Sequence, residues 1–230
     1  MPRIVQPELL DLLPPNDPKA LGSRQDLRRL NRIMGHVKIM AQQLEALPSV
    51  KPFQLIDLGG SDGTFLLEVA EKLGRRNPAA LVQATLVDRS PVMPPDMVER
   101  FAKFNWQLRA VTADALDFLR DAFAEVDVMI VNLLLHQFDD ESLRELLALA
   151  SQRTRRFIAV EPERGGAPRF LSGLVGLIGC NSVTRHDACV SVEAGFCGRE
   201  LTAFWPKGPH WKIEERRVGW VNHIFVAQRK

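Results

Sequence analysis

A doubly wound α/β fold is what this 230-residue sequence predicts, on three observations. Between residues 53 and about 165, apolar runs bounded by turn residues alternate with segments of helical period. The first run, Phe-Gln-Leu-Ile-Asp-Leu at 53–58, leads into Gly59-Gly60-Ser61-Asp62-Gly63-Thr64, a glycine turn opening a helix. The chain finishes as two strand-like runs, 211–218 and 221–228, around Gly219 with Trp220 beside it, which read as a hairpin.

Residues 1–20 carry Pro14-Pro15-Asn16-Asp17-Pro18 and read as an extended arm or loop. Ser23 reads as the N-cap of a helix to about Leu47, with Leu27, Leu30, Ile33, Met34, Val37, Met40 and Leu44 at helical spacing and Pro48 as its stop. Arg24, Arg28, Arg29 and Arg32 occupy the opposite face.

The strand at 53–58 is apolar, unbroken and preceded by Pro52. Beyond the glycine turn, Phe65, Leu66, Val69, Ala70 and Leu73 make the stripe of a helix near 64–74. A second strand at 81–87 ends in Asp88, and a third at 106–112 precedes Ala113-Asp114-Ala115. The fourth, 126–134, continues into Leu135-His136-Gln137-Phe138-Asp139-Asp140-Glu141. The fifth, 156–161, ends in Val160-Glu161-Pro162-Glu163. Helices are expected near 95–104, 115–124 and 140–151. Residues 166–180 are apolar at helical spacing, and 182–204 read as one or two further helices before the hairpin. The division expected is an N-terminal arm and helix over 1–50, then one domain over 51–230 with a helical insertion at about 166–205.

Composition narrows the function. A formal net charge of +2 leaves no electrostatic footprint for nucleic acid. No apolar run is long enough for a membrane span, and the N-terminus lacks a signal-peptide core. Cys180, Cys189 and Cys197 lack the spacing of a metal site and read as free thiols, so a cytoplasmic location and no metal are expected.

A dinucleotide fingerprint requires G-x-G-x-x-G, but Ser61 and Thr64 stand where the second and third glycines belong. No Gly-Lys-Ser/Thr follows, so a phosphate-binding P-loop is also absent. What remains is an acid followed by glycines: Asp57, Gly59, Ser61, Gly63, with Gly60 between. Asp88 lies roughly 20 residues on at a strand tip, where a carboxylate accepts bonds from ribose hydroxyls.

This pattern resembles motif I of the class I S-adenosylmethionine-dependent methyltransferases, with Ser61 departing from the usual middle glycine. The resemblance covers residues 50–165 well and the terminal hairpin moderately. It implies a seven-stranded sheet with a reversed last strand, helices on both faces and an N-terminal helical cover. It implies S-adenosyl-L-methionine as cofactor, held by the glycine turn, Asp88 and Arg89, by Asp114 and Ala115 at the adenine, and by Asn132 and Leu133 at the end of strand four. Arg32 is a candidate for the cofactor's carboxylate.

The stretch around His136 is similar to the His-Asp-Trp-Ser-Asp-Glu run of phenolic and polyketide O-methyltransferases, with Gln137 and Phe138 departing from it. The family's general base is that histidine, so the resemblance assigns His136 this role. Imidazole chemistry agrees, since a group with a pKa near 6.5 suits a phenolic proton. His186, in Thr184-Arg185-His186-Asp187, is a second candidate, with Thr184 or Asp187 as a competing helix cap. Met34, Phe170, Arg185 and Trp205 are candidates for the acceptor pocket. The function expected is methyl transfer to a hydroxyl of a small aromatic or polyketide-like metabolite, and a homodimer is compatible with it. Three alternatives stay open: C- or N-methylation of a quinone-like or amine acceptor, a nicotinamide-dependent oxidoreductase, and a non-catalytic binding protein of the same fold.

Overall fold

The computed structural model describes residues 2–14, 16–45, 52–121 and 124–230. Seven strands form one sheet: β1 (Phe53–Leu58), β2 (Val82–Asp88), β3 (Trp106–Thr112), β4 (Val128–Asn132), β5 (Arg156–Pro162), β6 (Trp211–Val218) and β7 (Asn222–Arg229). Their order is β3-β2-β1-β4-β5-β7-β6. The first five run parallel, while β7 pairs antiparallel with both β5 and β6. This is the expected seven-stranded sheet with its reversed last strand. Gly219, at φ 66°, supplies the left-handed residue of the hairpin turn.

The two faces follow from strand alternation. Leu55, Val128, Ile130, Ile158 and Val160 pack with residues of α3 (His36–Gln43), α4 (Thr64–Gly74) and α5 (Met97–Ala102). Ile56, Leu58, Met129, Val131, Phe157 and Ala159 pack with α6 (Ala115–Arg120), α7 (Asp140–Arg153) and α10 (Glu200–Phe204) on the other face. Central strands with two buried faces must be apolar throughout, hence the unbroken runs. Each fully buried Leu, Ile or Phe contributes roughly 1.5–3 kcal/mol.

Before β1 lie α1 (Leu9–Leu12) and α2 (Pro18–Met34); α8 (Gly166–Gly173) and α9 (Ser182–Ala194) follow β5. Several boundaries differ from the sequence expectation. The cap of α2 is Asp17, whose carboxylate accepts from the Lys19 N–H at 2.7 Å, with Pro18 at the first helical position. Ser23 lies inside α2, its hydroxyl buried against Thr184 Oγ1 at 3.0 Å. The single long helix is two, because Gly35 turns left-handed at φ 75° and ends α2. The predicted stop at Leu47-Pro48 falls outside the described residues, and the helix expected over 115–124 ends at Arg120, capped by Asp121. Residues 182–204 form two helices, and the cap of α9 is Asn181 rather than Thr184 or Asp187. No helix of the described residues is long and apolar enough to cross a membrane.

Candidate functional site

The glycine turn joins β1 to α4 at the carboxyl edge of the sheet, where open α/β folds bind ligands. Gly59, Ser61 and Gly63 all have positive φ, at 76°, 51° and 78°. A side chain at Ser61 is tolerated there at some conformational cost. Gly60 is required for space: a Cβ would lie 2.6 Å from Leu86 Cγ and 2.9 Å from Asp57 Oδ2. The turn is tied to β2 by the Gly59 N–H to the Val87 carbonyl at 2.8 Å. The Ser61 N–H donates to Asp88 Oδ2 at 2.9 Å, and the Ser90 N–H to Asp88 Oδ1 at 2.8 Å.

Asp57 lies beneath this turn, almost wholly buried, and its Oδ2 has no hydrogen-bond partner. Burial, with the Asp88 charge adding to it, pushes its carboxyl up to about 8. Asp114 caps α6, accepting from the Leu116 N–H at 2.8 Å, while its other oxygen takes Arg89 Nε at 2.8 Å and Nη2 at 2.6 Å. Burial works against the Asp114 charge, but Arg89 and the cap outweigh it and lower its pKa. Arg89 and Asp114 therefore act as a pair at the tips of β2 and β3. Ala115 begins α6 behind them. Arg32 is paired with Glu68 of α4.

Beyond β4 the chain makes a strained turn. Leu133 holds φ 58°, a left-handed value that costs a bulky residue roughly 1–3 kcal/mol. Glu161, fully buried at the end of β5, holds the turn in place. Its carboxylate accepts from the N–H groups of Leu134 at 3.0 Å and Leu135 at 2.8 Å, and from His136 Nδ1 at 2.7 Å. His136 is buried, and its Nε2 meets Glu8 Oε1 at 3.1 Å. Burial disfavours the imidazolium, but the hydrogen bonds it donates to Glu161 and Glu8 override this and push His136 up to about 10. In this arrangement both ring nitrogens are donors and neither offers a lone pair.

Glu8 belongs to the N-terminal arm, which lies across this edge. Its carboxylate also takes Gln137 Nε2 at 3.0 Å and the Ser191 hydroxyl. Arg3 fastens the arm by donating to the Phe138 carbonyl at 2.6 Å and the Ala194 carbonyl at 2.9 Å. The N–H groups of Leu9 and Leu10 meet the Asp187 carboxylate at 2.8 and 3.0 Å. Asp11 is pushed up to about 6 by burial and then by Glu8, with Asp187 and Asp88 adding to it. The arm thus stands close to the tip of β2 as well.

The remaining candidates separate. Met34 is half-buried at the end of α2, and its carbonyl accepts from Asn222 Nδ2 at 2.8 Å. Arg185 and His186 are on the exposed side of α9, with His186 Nδ1 3.0 Å from Asp187. Phe170 is 68% exposed on α8. Trp205 is buried in the core, its ring 5.2 Å from Phe157, 5.0 Å from Trp211 and 5.3 Å from Phe225. Its packing is that of a core indole, held among aromatic rings of three strands. Among the described residues no group of His, Cys, Asp or Glu is arranged to hold a metal ion.

Sequence reasoning missed Glu8 and Glu161. Glu161 carried a signal, an acid in an apolar strand; Glu8 carried none.

No known family profile matches the sequence, and no curated protein matches it. Solved structures do match. The plantazolicin methyltransferase BamL, solved with a triazolic desmethylPZN analog and SAH, aligns with 94% of this chain and 92% of its own, at a TM-score of 0.65 and 11% identity. The plantazolicin methyltransferase BpumL, in complex with SAH, aligns over the same shares at 0.62 and 15%. The mitomycin 7-O-methyltransferase MmcR aligns with 96% of this chain and 60% of its own, at 0.53 and 17%. The fold is therefore the methyltransferase fold.

Proposed function

We propose that the chain transfers a methyl group from S-adenosylmethionine to a hydroxyl of a small aromatic or polyketide-like molecule. The observation that carries this reading is Asp57 beneath the glycine turn: a buried carboxyl oxygen with no hydrogen-bond partner, at the edge where this fold binds its ligand, whose ionisation a cation would favour. A cationic ligand rich in N–H and O–H donors fits such a site. The cofactor is of that kind, and when bound it supplies an electrophilic methyl on a sulfonium.

The chain's own residues then bind and orient. Gly59, Gly60, Ser61 and Gly63 form the cradle. Asp88, whose carboxylate accepts only two backbone N–H groups, keeps lone pairs for the ribose hydroxyls. Arg89, Asp114 and Ala115 border the adenine, and Asn132 with Leu133 the methionine end. Glu161 fixes His136 through Nδ1, as an orienting carboxylate does for a base. When Glu8 leaves as the protonated acid it carries the Nε2 proton away, the ring becomes neutral with its lone pair at Nε2, and an acceptor hydroxyl taking the place of Glu8 gives its proton to that nitrogen. Three free cysteines fit a reducing, cytoplasmic compartment. Of the solved structures above, the mitomycin 7-O-methyltransferase is by its name an O-methyltransferase, which favours oxygen as the acceptor atom.

The test is thermal stability with ligands. S-adenosylhomocysteine at 100 times its Kd adds about 2.7 kcal/mol to the folded state, and NAD adds nothing. Asp88→Ala keeps the fold and lowers the affinity for S-adenosylhomocysteine by tenfold or more by calorimetry. No stabilisation of the wild type by S-adenosylhomocysteine rejects the proposal.

A further inference from the structure

We propose that His36 is a cofactor-binding residue, whose Nδ1 accepts a hydrogen bond from the ammonium group at the methionine end of S-adenosylmethionine. The inference rests on the methyltransferase reading. His36 is the first residue of α3, directly after the left-handed Gly35, and is 1% exposed. Its tautomer follows from its neighbours. Asn222 Nδ2 donates to the Met34 carbonyl at 2.8 Å, so Asn222 presents Oδ1 to the ring. His36 Nε2 lies 2.8 Å from that oxygen and must carry the hydrogen. Nδ1 is left with the lone pair; the Asn132 side chain is close enough to it to favour the protonated ring, but no group meets it in hydrogen-bond geometry.

The ring is not alone in this. The Asn132 side chain at the end of β4 lies beside it, and Asn132 Oδ1 is also a buried acceptor without a donor. Asp57 and Asn132 lie two residues beyond Leu55 and Ile130, on the same sheet face as α3. Asn132 Oδ1 and His36 Nδ1 are thus two orphan acceptors on one face at one edge, and the unpartnered Asp57 carboxyl lies on the same face. Asn31 Oδ1, one turn before Gly35, is a third orphan acceptor. Buried acceptors left unpaired cost roughly 1–3 kcal/mol each, and several together call for a group that only donates. An ammonium has three N–H donors and no acceptor.

The groups facing His36 are neutral Asn132 on β4, neutral Asn222 on β7 and the Glu161 carboxylate on β5. Burial holds the ring below the ordinary histidine value in spite of all three, so it is neutral at pH 7. Protonation at lower pH would turn Nδ1 into a donor and repel the ammonium.

Two probes isolate the contact: S-adenosylhomocysteine, which has the amino-acid end, and 5′-deoxy-5′-methylthioadenosine, which lacks it. In calorimetry His36→Phe should lose about 10- to 100-fold in affinity for the first and less than twofold for the second. In ¹⁵N-histidine NMR of the wild type, the His36 Nδ1 resonance should be that of a free lone pair and should move with the first probe alone. That measurement needs no variant to fold. Equal losses for both probes, no loss for either, or an Nδ1 already hydrogen-bonded in the free protein overturns the assignment. Wild type binding neither probe rejects the methyltransferase reading itself.

Discussion

Asp57→Asn separates a binding residue from a structural one by the sign of its effect on stability. The Asp57 carboxyl is buried without a partner for Oδ2 and is pushed from 3.8 up to about 8. An unfolded chain ionises near 3.8, while the folded carboxyl stays protonated until about 8. Stability is therefore intact at low pH, falls between those two values and stays level above them. Each pH unit in that window costs about 1.4 kcal/mol, so the penalty by pH 7 is roughly 4 kcal/mol. Asparagine removes the titration but brings an amide whose N–H groups find no better partners, a cost of about 1–3 kcal/mol. The net expectation is a variant less stable than wild type near pH 4, equal to it at about pH 5–6 and more stable by about 2 kcal/mol at pH 7. For a chain of this size that gain raises Tm by roughly 4–8 °C. The assay is urea denaturation followed by circular dichroism across this pH range, with S-adenosylhomocysteine affinity measured on the same samples. A gain in stability with a loss of affinity is the mark of a residue kept for its ligand. A stability difference that does not change with pH, or a variant less stable at pH 8, would refute the reasoning.

Two further outcomes follow from the same geometry. His136 is raised to about 10, so the stability it contributes is fully present below about 6.5 and is lost as pH rises through 10; Glu8→Gln should make that alkaline fall shallower, as chemical denaturation at pH 6, 8 and 10 would show. Trp205→Ala should cost about 3–5 kcal/mol of stability by cavity formation yet leave S-adenosylhomocysteine affinity within twofold, and a large loss of affinity would return Trp205 to the pocket.

Much of the scaffold was legible because local signals and tertiary demands agreed. β1, β4 and β5 are buried on both faces, which is why they read as unbroken apolar runs. The glycine turn was readable because positive φ at Gly59 and Gly63 leaves few other residue types. The break at Gly35 was not, because Val37, Met40 and Leu44 continue the apolar spacing of the preceding helix across it. Ser23 has the chemistry of a cap, but Asp17 followed by Pro18 supplies a better one and Ser23 pairs with Thr184 of α9 instead. Trp205 gave the same local signal whether it faced a ligand or the core, and its three aromatic neighbours come from β5, β6 and β7.

The two histidines show where a sequence reading stops. That Glu161 meets His136 follows from topology. β4 and β5 are adjacent and parallel with Asn132 opposite Val160, so Glu161 lies next beyond that pair and the residues after Asn132 turn over it. The contact between Glu161 and His136 was therefore within reach once β4 and β5 were recognised as neighbours. The protonation state was not. It depends on Glu8, 128 residues away in an arm with no motif, and on the burial that the arm itself creates. His36 inverts the case. Its sequence neighbourhood is unremarked helix, and its free lone pair exists only because Asn222, across 186 residues, turns its oxygen to Nε2. Residue type and spacing can nominate a histidine; which nitrogen holds the proton is decided by partners that only the folded chain brings together.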